Sequence, residues 1–190
     1  MKSKSTVGFA VACVILASSF AGGAQTQGMS HSNPAPIGTT IKTQIQCGSN
    51  PVSLEPYDMN ITLLQVVRGE KAWERLRTAS NSNKPAQNGF EYVLAQIRFE
   101  LKRTVFPGNK SFGLGTPLQL TAVSADGKEY AGAAAVLPEP GLSGELRAGE
   151  SIEGWVGFLV EKGDGKPLMA FDPASGGGTL RGKIVWFRLF

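Results

Sequence analysis

The stretch Glu91 to Lys102, EYVLAQIRFELK, alternates without a break: Val93, Ala95, Ile97, Phe99 and Leu101 fall on one side, Leu94, Gln96, Arg98, Glu100 and Lys102 on the other. A period of two over this length predicts a strand with one face in a core and the other mostly wet. Other stretches fit the same plan. Met59 to Arg68, MNITLLQVVR, is β-branched and apolar on both faces near its middle, as a central strand covered on each side would be. Ile152 to Glu161 places Ile152, Val156, Phe158 and Val160 on one face and Trp155 and Leu159 on the other. Lys183 to Phe190 predicts a closing strand, and Thr39 to Gln46, Leu118 to Ser124 and Glu129 to Leu137 predict shorter ones. Asp126-Gly127 sits between two of these as a hairpin turn.

Only Arg68 to Ser80 reads as helix, with Ala72, Leu76 and Ala79 on one face among strong helix formers. The expected fold is all-β: a seven-stranded antiparallel immunoglobulin-like β-sandwich with one short helix between the second and third strands.

The N-terminus predicts a compartment. Lys2 and Lys4 precede an apolar run from Val7 to Phe20, and the small residues Ala21-Gly22-Gly23-Ala24 follow. That is the layout of a secretory signal peptide over residues 1–24, cleaved after Ala24. The run of 14 residues falls short of the roughly 20 that span a bilayer, so no membrane span is expected in the mature chain. Ala10-Val11-Ala12-Cys13 distantly resembles a lipobox, but Ala10 stands where a larger aliphatic residue is usual and the apolar run continues past Cys13. A lipoprotein tethered through Cys13 is therefore the secondary reading. Residues 25–35, QTQGMSHSNPA, read as a flexible linker, and 36–190 as the sandwich domain.

Removing 24 of 190 residues leaves 166, enough for one domain with a sizeable core. The two lost charges are lysines, so 17 cations face 15 acids and the formal charge falls from +4 to about +2. Arg75-Leu76-Arg77 and Lys102-Arg103 are the densest basic clusters, and neither is interleaved with aromatics, so no nucleic acid is expected as a partner. Cys47 is then the one cysteine, and one thiol closes no intramolecular disulfide. It is either a buried apolar side chain or a free thiol able to pair with another molecule.

Catalytic chemistry is hard to assemble. His31, the only histidine, lies in the expected linker, and one cysteine with one histidine cannot make a zinc site. Glu153, Glu161, Asp164 and Asp172 are the carboxylates nearest an apolar strand or its loops, without the D-x-D-x-D-G run that calcium needs. Gly163-Asp164-Gly165-Lys166 lacks the spacing of a phosphate loop, and Gly176-Gly177-Gly178 is followed by no helix. The sequons at Asn60 and Asn109 are read as accidental. Trp155 and Trp186 lie in expected strands, where packing is the common fate. Trp73 lies about 100° from Ala72 around the helix, at the margin of its buried stripe, and is the aromatic expected on a contact surface.

Several pieces occur in a familiar order: Asn33-Pro34-Ala35-Pro36-Ile37-Gly38, then Val66-Val67-Arg68-Gly69 with Ala72-Trp73. Gly89-Phe90-Glu91-Tyr92-Val93-Leu94, Gly154-Trp155-Val156 and Trp186-Phe187-Arg188-Leu189 follow. Together they span most of the chain from Asn33 to Phe190. In them the sequence resembles the telokin-like, immunoglobulin-like domain of unknown function found in secreted proteins and lipoproteins of bacteria, related to the small secreted mycobacterial antigens. The resemblance implies a secreted or surface-tethered sandwich and supplies no catalytic residues. The expectation is a secreted or envelope-associated, non-enzymatic interaction or structural module, with no cofactor and with an envelope or protein partner left open, as is its oligomeric state. The alternative is a carbohydrate-binding or hydrolase-accessory domain using Trp73 and carboxylates.

Overall fold

A computed structural model describes residues 27–48, 52–102, 110–114, 119–175 and 180–190. The expected leader at 1–24, Cys13, Asn109 and Gly176 to Gly178 lie outside the described residues. The elements run in the order β1 (Thr40–Cys47), β2 (Glu55–Arg68), α1 (Gly69–Ala79), β3 (Phe90–Leu101), β4 (Ser111–Leu114) and β5 (Leu120–Val123). They continue with β6 (Glu129–Tyr130), β7 (Gly144–Arg147), β8 (Ser151–Glu161), β9 (Leu168–Phe171), β10 (Arg181–Gly182) and β11 (Val185–Arg188). The ladders joining the strands are antiparallel. Three sheets result: a five-stranded one in the order β10-β1-β2-β3-β8, a four-stranded one in the order β11-β9-β5-β6, and the pair β4-β7.

The mostly β architecture with one short helix between β2 and β3 agrees with the sequence reading. The strand count does not, since eleven strands rather than seven occur among the described residues. β9, where the sequence reading placed no strand, lies between β5 and β11 and pairs with both. The expected strand Glu129 to Leu137 enters a ladder only at Glu129–Tyr130. Beyond Tyr130 the chain instead follows the outer edge of β8.

The main core lies between the five- and four-stranded sheets. Ile61, Ile97, Phe99 and Phe158 from the first meet Ala122, Met169, Phe171 and Phe187 from the second, all nearly or fully buried. Phe99 and Phe171 pack edge to face with centroids 4.9 Å apart, and Phe112 of β4 adds a second edge contact to Phe171. Burying each such ring contributes about 2–3 kcal/mol.

A second cluster lies on the other face of the five-stranded sheet, where Val67, Tyr92, Leu94 and Trp155 are covered by Ala72 and Leu76 of α1. This explains why β2 and β3 are apolar on both faces only toward the helix end. Ala79, read as part of the helix's buried stripe, is exposed, because α1 ends there and Ser80 turns back with its N–H on Leu76 O at 3.1 Å. The helix begins at Gly69, whose φ of +61° lets the chain leave β2 abruptly.

Residues 27–35, expected as linker, are docked. Trp186 N–H donates to Gly28 O at 2.7 Å, Ala35 bridges Phe187, and His31 packs edge-on against Trp186 with centroids 5.0 Å apart. Polar composition concealed this, because the segment is held by its backbone against the open side of β11.

Candidate binding site

The edge of β8 is not bare. Ala133 N–H donates to Gly157 O and Leu159 N–H to Ala131 O; further along, Trp155 N–H donates to Pro140 O and Leu142 N–H to Trp155 O. Residues 131–142 thus touch β8 at two places and arch away between them. Gly154 permits the second contact, since a Cβ there would lie 2.5 Å from Leu142 N and 2.6 Å from Gly141 C. At Gly154 the close neighbour is backbone, whereas at Gly157 it is the Leu137 side chain.

The crest of the arch is fastened to the helix by Asn83, which is 9% exposed. Its carboxamide donates to Leu76 O at 2.7 Å and Val136 O at 2.8 Å, and accepts from Val136 N–H at 2.8 Å. Beside this staple a cleft opens with a volume of about 560 Å³. Glu74, Arg75, Thr78 and Ala79 of α1 form one wall, Val136 to Glu139 the other, and Trp155 lies at its base. A smaller hollow of about 380 Å³ lies on the far side of the arch, reaching Leu142, Val156 and Phe158.

Arg75 sits with its guanidinium carbon 4.8 Å from the centroid of the Trp155 ring, an attraction between a cation and an aromatic face that also fixes the side chain's direction. Val136 is 53% exposed. The cleft therefore joins an apolar crest, an aromatic base and one oriented cation, flanked by Glu74 and Glu139.

Among the described residues lining the cleft, none is a nucleophile hydrogen-bonded to a side-chain base. The Thr78 hydroxyl donates to Glu74 O at 2.9 Å, and one Glu139 carboxylate oxygen accepts from Gly141 N–H at 3.2 Å. Among the described residues no group of three or more His, Cys, Asp or Glu could hold a metal ion. The carboxylates singled out in the sequence are engaged elsewhere. Glu153 receives Gln96 and Arg98, Glu161 pairs with Lys128, Asp164 accepts from Tyr130 Oη and Lys166 N–H, and Asp172 accepts from Ala174 N–H and the Ser175 hydroxyl.

Trp73 is half-buried and lies outside this cleft. Its ring stacks on Tyr92 at 6.4 Å and 22°, beside a shallow hollow of about 160 Å³ bounded by Glu70, Pro85 and Phe90. Cys47 closes β1 with no exposed surface. Burial, followed by the neighbouring Glu55 carboxylate, pushes its thiol pKa up to about 11. Sequence reasoning missed Asn83 and Val136. Asn83 lies in an ordinary loop composition, and nothing local marks it as the partner of a residue 53 positions away.

No protein-family model matches the sequence, and no curated protein matches it. Among solved structures the chain is similar to a candidate lipoprotein, ycdA, of Bacillus subtilis, at 16% identity and a TM-score of 0.48, over 68% of this chain. The match spans only 35% of the ycdA chain. It is also similar to yjhA of Bacillus subtilis (12% identity, TM-score 0.45, 76% of this chain and 87% of that one). The secreted protein MPT63 of Mycobacterium tuberculosis is a third (16% identity, TM-score 0.43, 73% and 87%). Two of these neighbours, a candidate lipoprotein and a secreted protein, are described in the terms that the sequence resemblance named.

Proposed function

We propose that this chain is an immunoglobulin-like domain of the cell envelope or extracellular space that works by binding rather than by catalysis. Its cleft between α1 and the 131–142 arch takes an apolar segment of a partner protein. The observation that carries this reading is the cleft itself: Val136 stands half-exposed on a crest whose backbone is pinned by Asn83, above Trp155 and the oriented Arg75. A rigid wall loses little conformational freedom on binding, and a volume of this size accommodates a few apolar side chains. The secretory leader pattern of residues 1–24 supports the extracellular or envelope placement. The glycan-binding alternative has less support, since Trp73 lies against Tyr92 instead of standing free.

The test compares the protein with Val136→Asp, a change at an exposed position. The apolar dye 1-anilinonaphthalene-8-sulfonate should bind the unmodified protein saturably and the variant several-fold more weakly. Cross-linking at the surface of its own cells should capture a partner with the unmodified domain alone. Equal dye binding, or equal capture by both, would overturn the assignment.

A further inference from the structure

A second concavity lies toward the β1 end of the five-stranded sheet and is polar. Along β1 the side chains of Ile41, Ile45 and Cys47 point to the core, while Lys42, Gln44 and Gln46 point outward. Lys42 stands opposite Asn60, and Gln44 opposite Asp58, across the β1–β2 ladder. The chain returns at β10, where Gly182 pairs with Ile45, and so sets Lys183 at the rim. Lys102 closes the other side, its N–H on Asp58 O at 2.8 Å. The groove so enclosed has a volume of about 800 Å³.

Its charge is uneven. Lys102 is paired with Glu100 at 2.7 Å, and Glu100 also receives the Asn60 carboxamide at 3.0 Å. Lys42 and Lys183 have no carboxylate partner among the described residues. Asp58, the acid lining the groove, has the Gln44 amide 3.5 Å away. Lys42 and Lys183 outnumber the Asp58 carboxylate in this hollow, and that positive excess raises the local potential for anions, while the Gln44 and Gln46 carboxamides beside them can both donate to and accept from hydroxyls. Among the described residues no aromatic ring lines the groove, so they offer a neutral sugar no stacking platform.

We infer that this groove binds an acidic saccharide, with Lys42 and Lys183 receiving its carboxylates and Gln44 and Gln46 its hydroxyls. The inference is independent of the cleft over Trp155, with which the groove shares no lining residue.

Calorimetric titration of the full domain with an oligogalacturonate tetramer, with maltotetraose and with inorganic phosphate tests it. The oligogalacturonate should bind saturably, weaken roughly tenfold between about 50 and 500 mM salt, and weaken at least about tenfold in Lys42→Gln/Lys183→Gln. Both lysines are exposed, so that variant should keep the parent melting temperature. Lys71→Gln/Lys166→Gln removes the same charge elsewhere and should bind like the parent. Four results would each overturn the inference: no saturable oligogalacturonate binding at low salt, equal weakening in both double variants, maltotetraose binding as tightly, or phosphate competing at equal concentration.

Discussion

Asn83 grips Val136 by both polar atoms of its backbone, accepting from the N–H and donating to the carbonyl at 2.8 Å each, while the same amide nitrogen caps Leu76 O at 2.7 Å. One buried carboxamide thus does the work of a missing strand partner for the arch and of a C-terminal cap for α1. Asn83→Ala leaves both Val136 backbone groups without this partner and Leu76 O with the Ser80 N–H alone, and should cost about 2–4 kcal/mol. Urea unfolding measures the loss, and amide exchange at Val136 should rise with it. Asn83→Asp, which keeps the acceptor and replaces the donating amide with a carboxylate facing two carbonyls, should be no better.

The close approach at Gly154 leads to a second expectation. A Cβ there meets backbone atoms rather than a movable side chain, so Gly154→Ala should destabilise by about 1–3 kcal/mol. Gly163, with open space around its Cβ position, supplies the comparison. Gly163→Ala should change the urea midpoint little.

Cys47 should be inert while the domain is folded. Its thiol is fully buried and its pKa is raised from 9.0 to about 11, so a disulfide reagent at neutral pH should react stoichiometrically only after denaturant is added. Tyr130 behaves alike, raised from 10.0 to about 12 by burial first and its hydrogen bond to Asp164 second. For both groups the folded state binds its proton more tightly than the unfolded chain. Their contribution is complete below the unfolded values and is lost as pH rises toward the folded ones. Thermal melts should therefore fall from about pH 9 upward, with Cys47→Ala flattening the first part of the decline.

Trp73 should matter to stability more than to recognition. Losing its stack on Tyr92 and its partly buried area, Trp73→Ala should cost about 1–2 kcal/mol and leave dye binding at the Val136 cleft unchanged. A dye signal that fell with Trp73→Ala as far as with Val136→Asp would contradict this separation of the two surfaces.

Long elements were legible from the chain because each carries its own periodicity. Residues 91–102 could hardly be anything but a strand, and observed β3 covers Phe90–Leu101. The helix matches to within a residue at each end, and both faces of β8 are assigned correctly, with Phe158 and Val160 in the main core and Trp155 and Leu159 in the cluster under α1. The short strands have no such signal. β9 is four residues after a proline, β10 is two, and β4 and β7 exist through one another across some thirty positions.

Alternation of apolar and polar side chains by itself determined that this chain forms antiparallel sheets around a buried layer, with one helix where the period changes from two to 3.6. Tertiary structure alone decided the rest. The arch over β8, the staple from Asn83 to Val136, and the gathering of Lys42 and Lys183 at one groove depend on backbone groups and charges from distant positions meeting. Such pairings leave no periodic trace, because a hydrogen bond between residues 53 apart constrains only two places in the sequence.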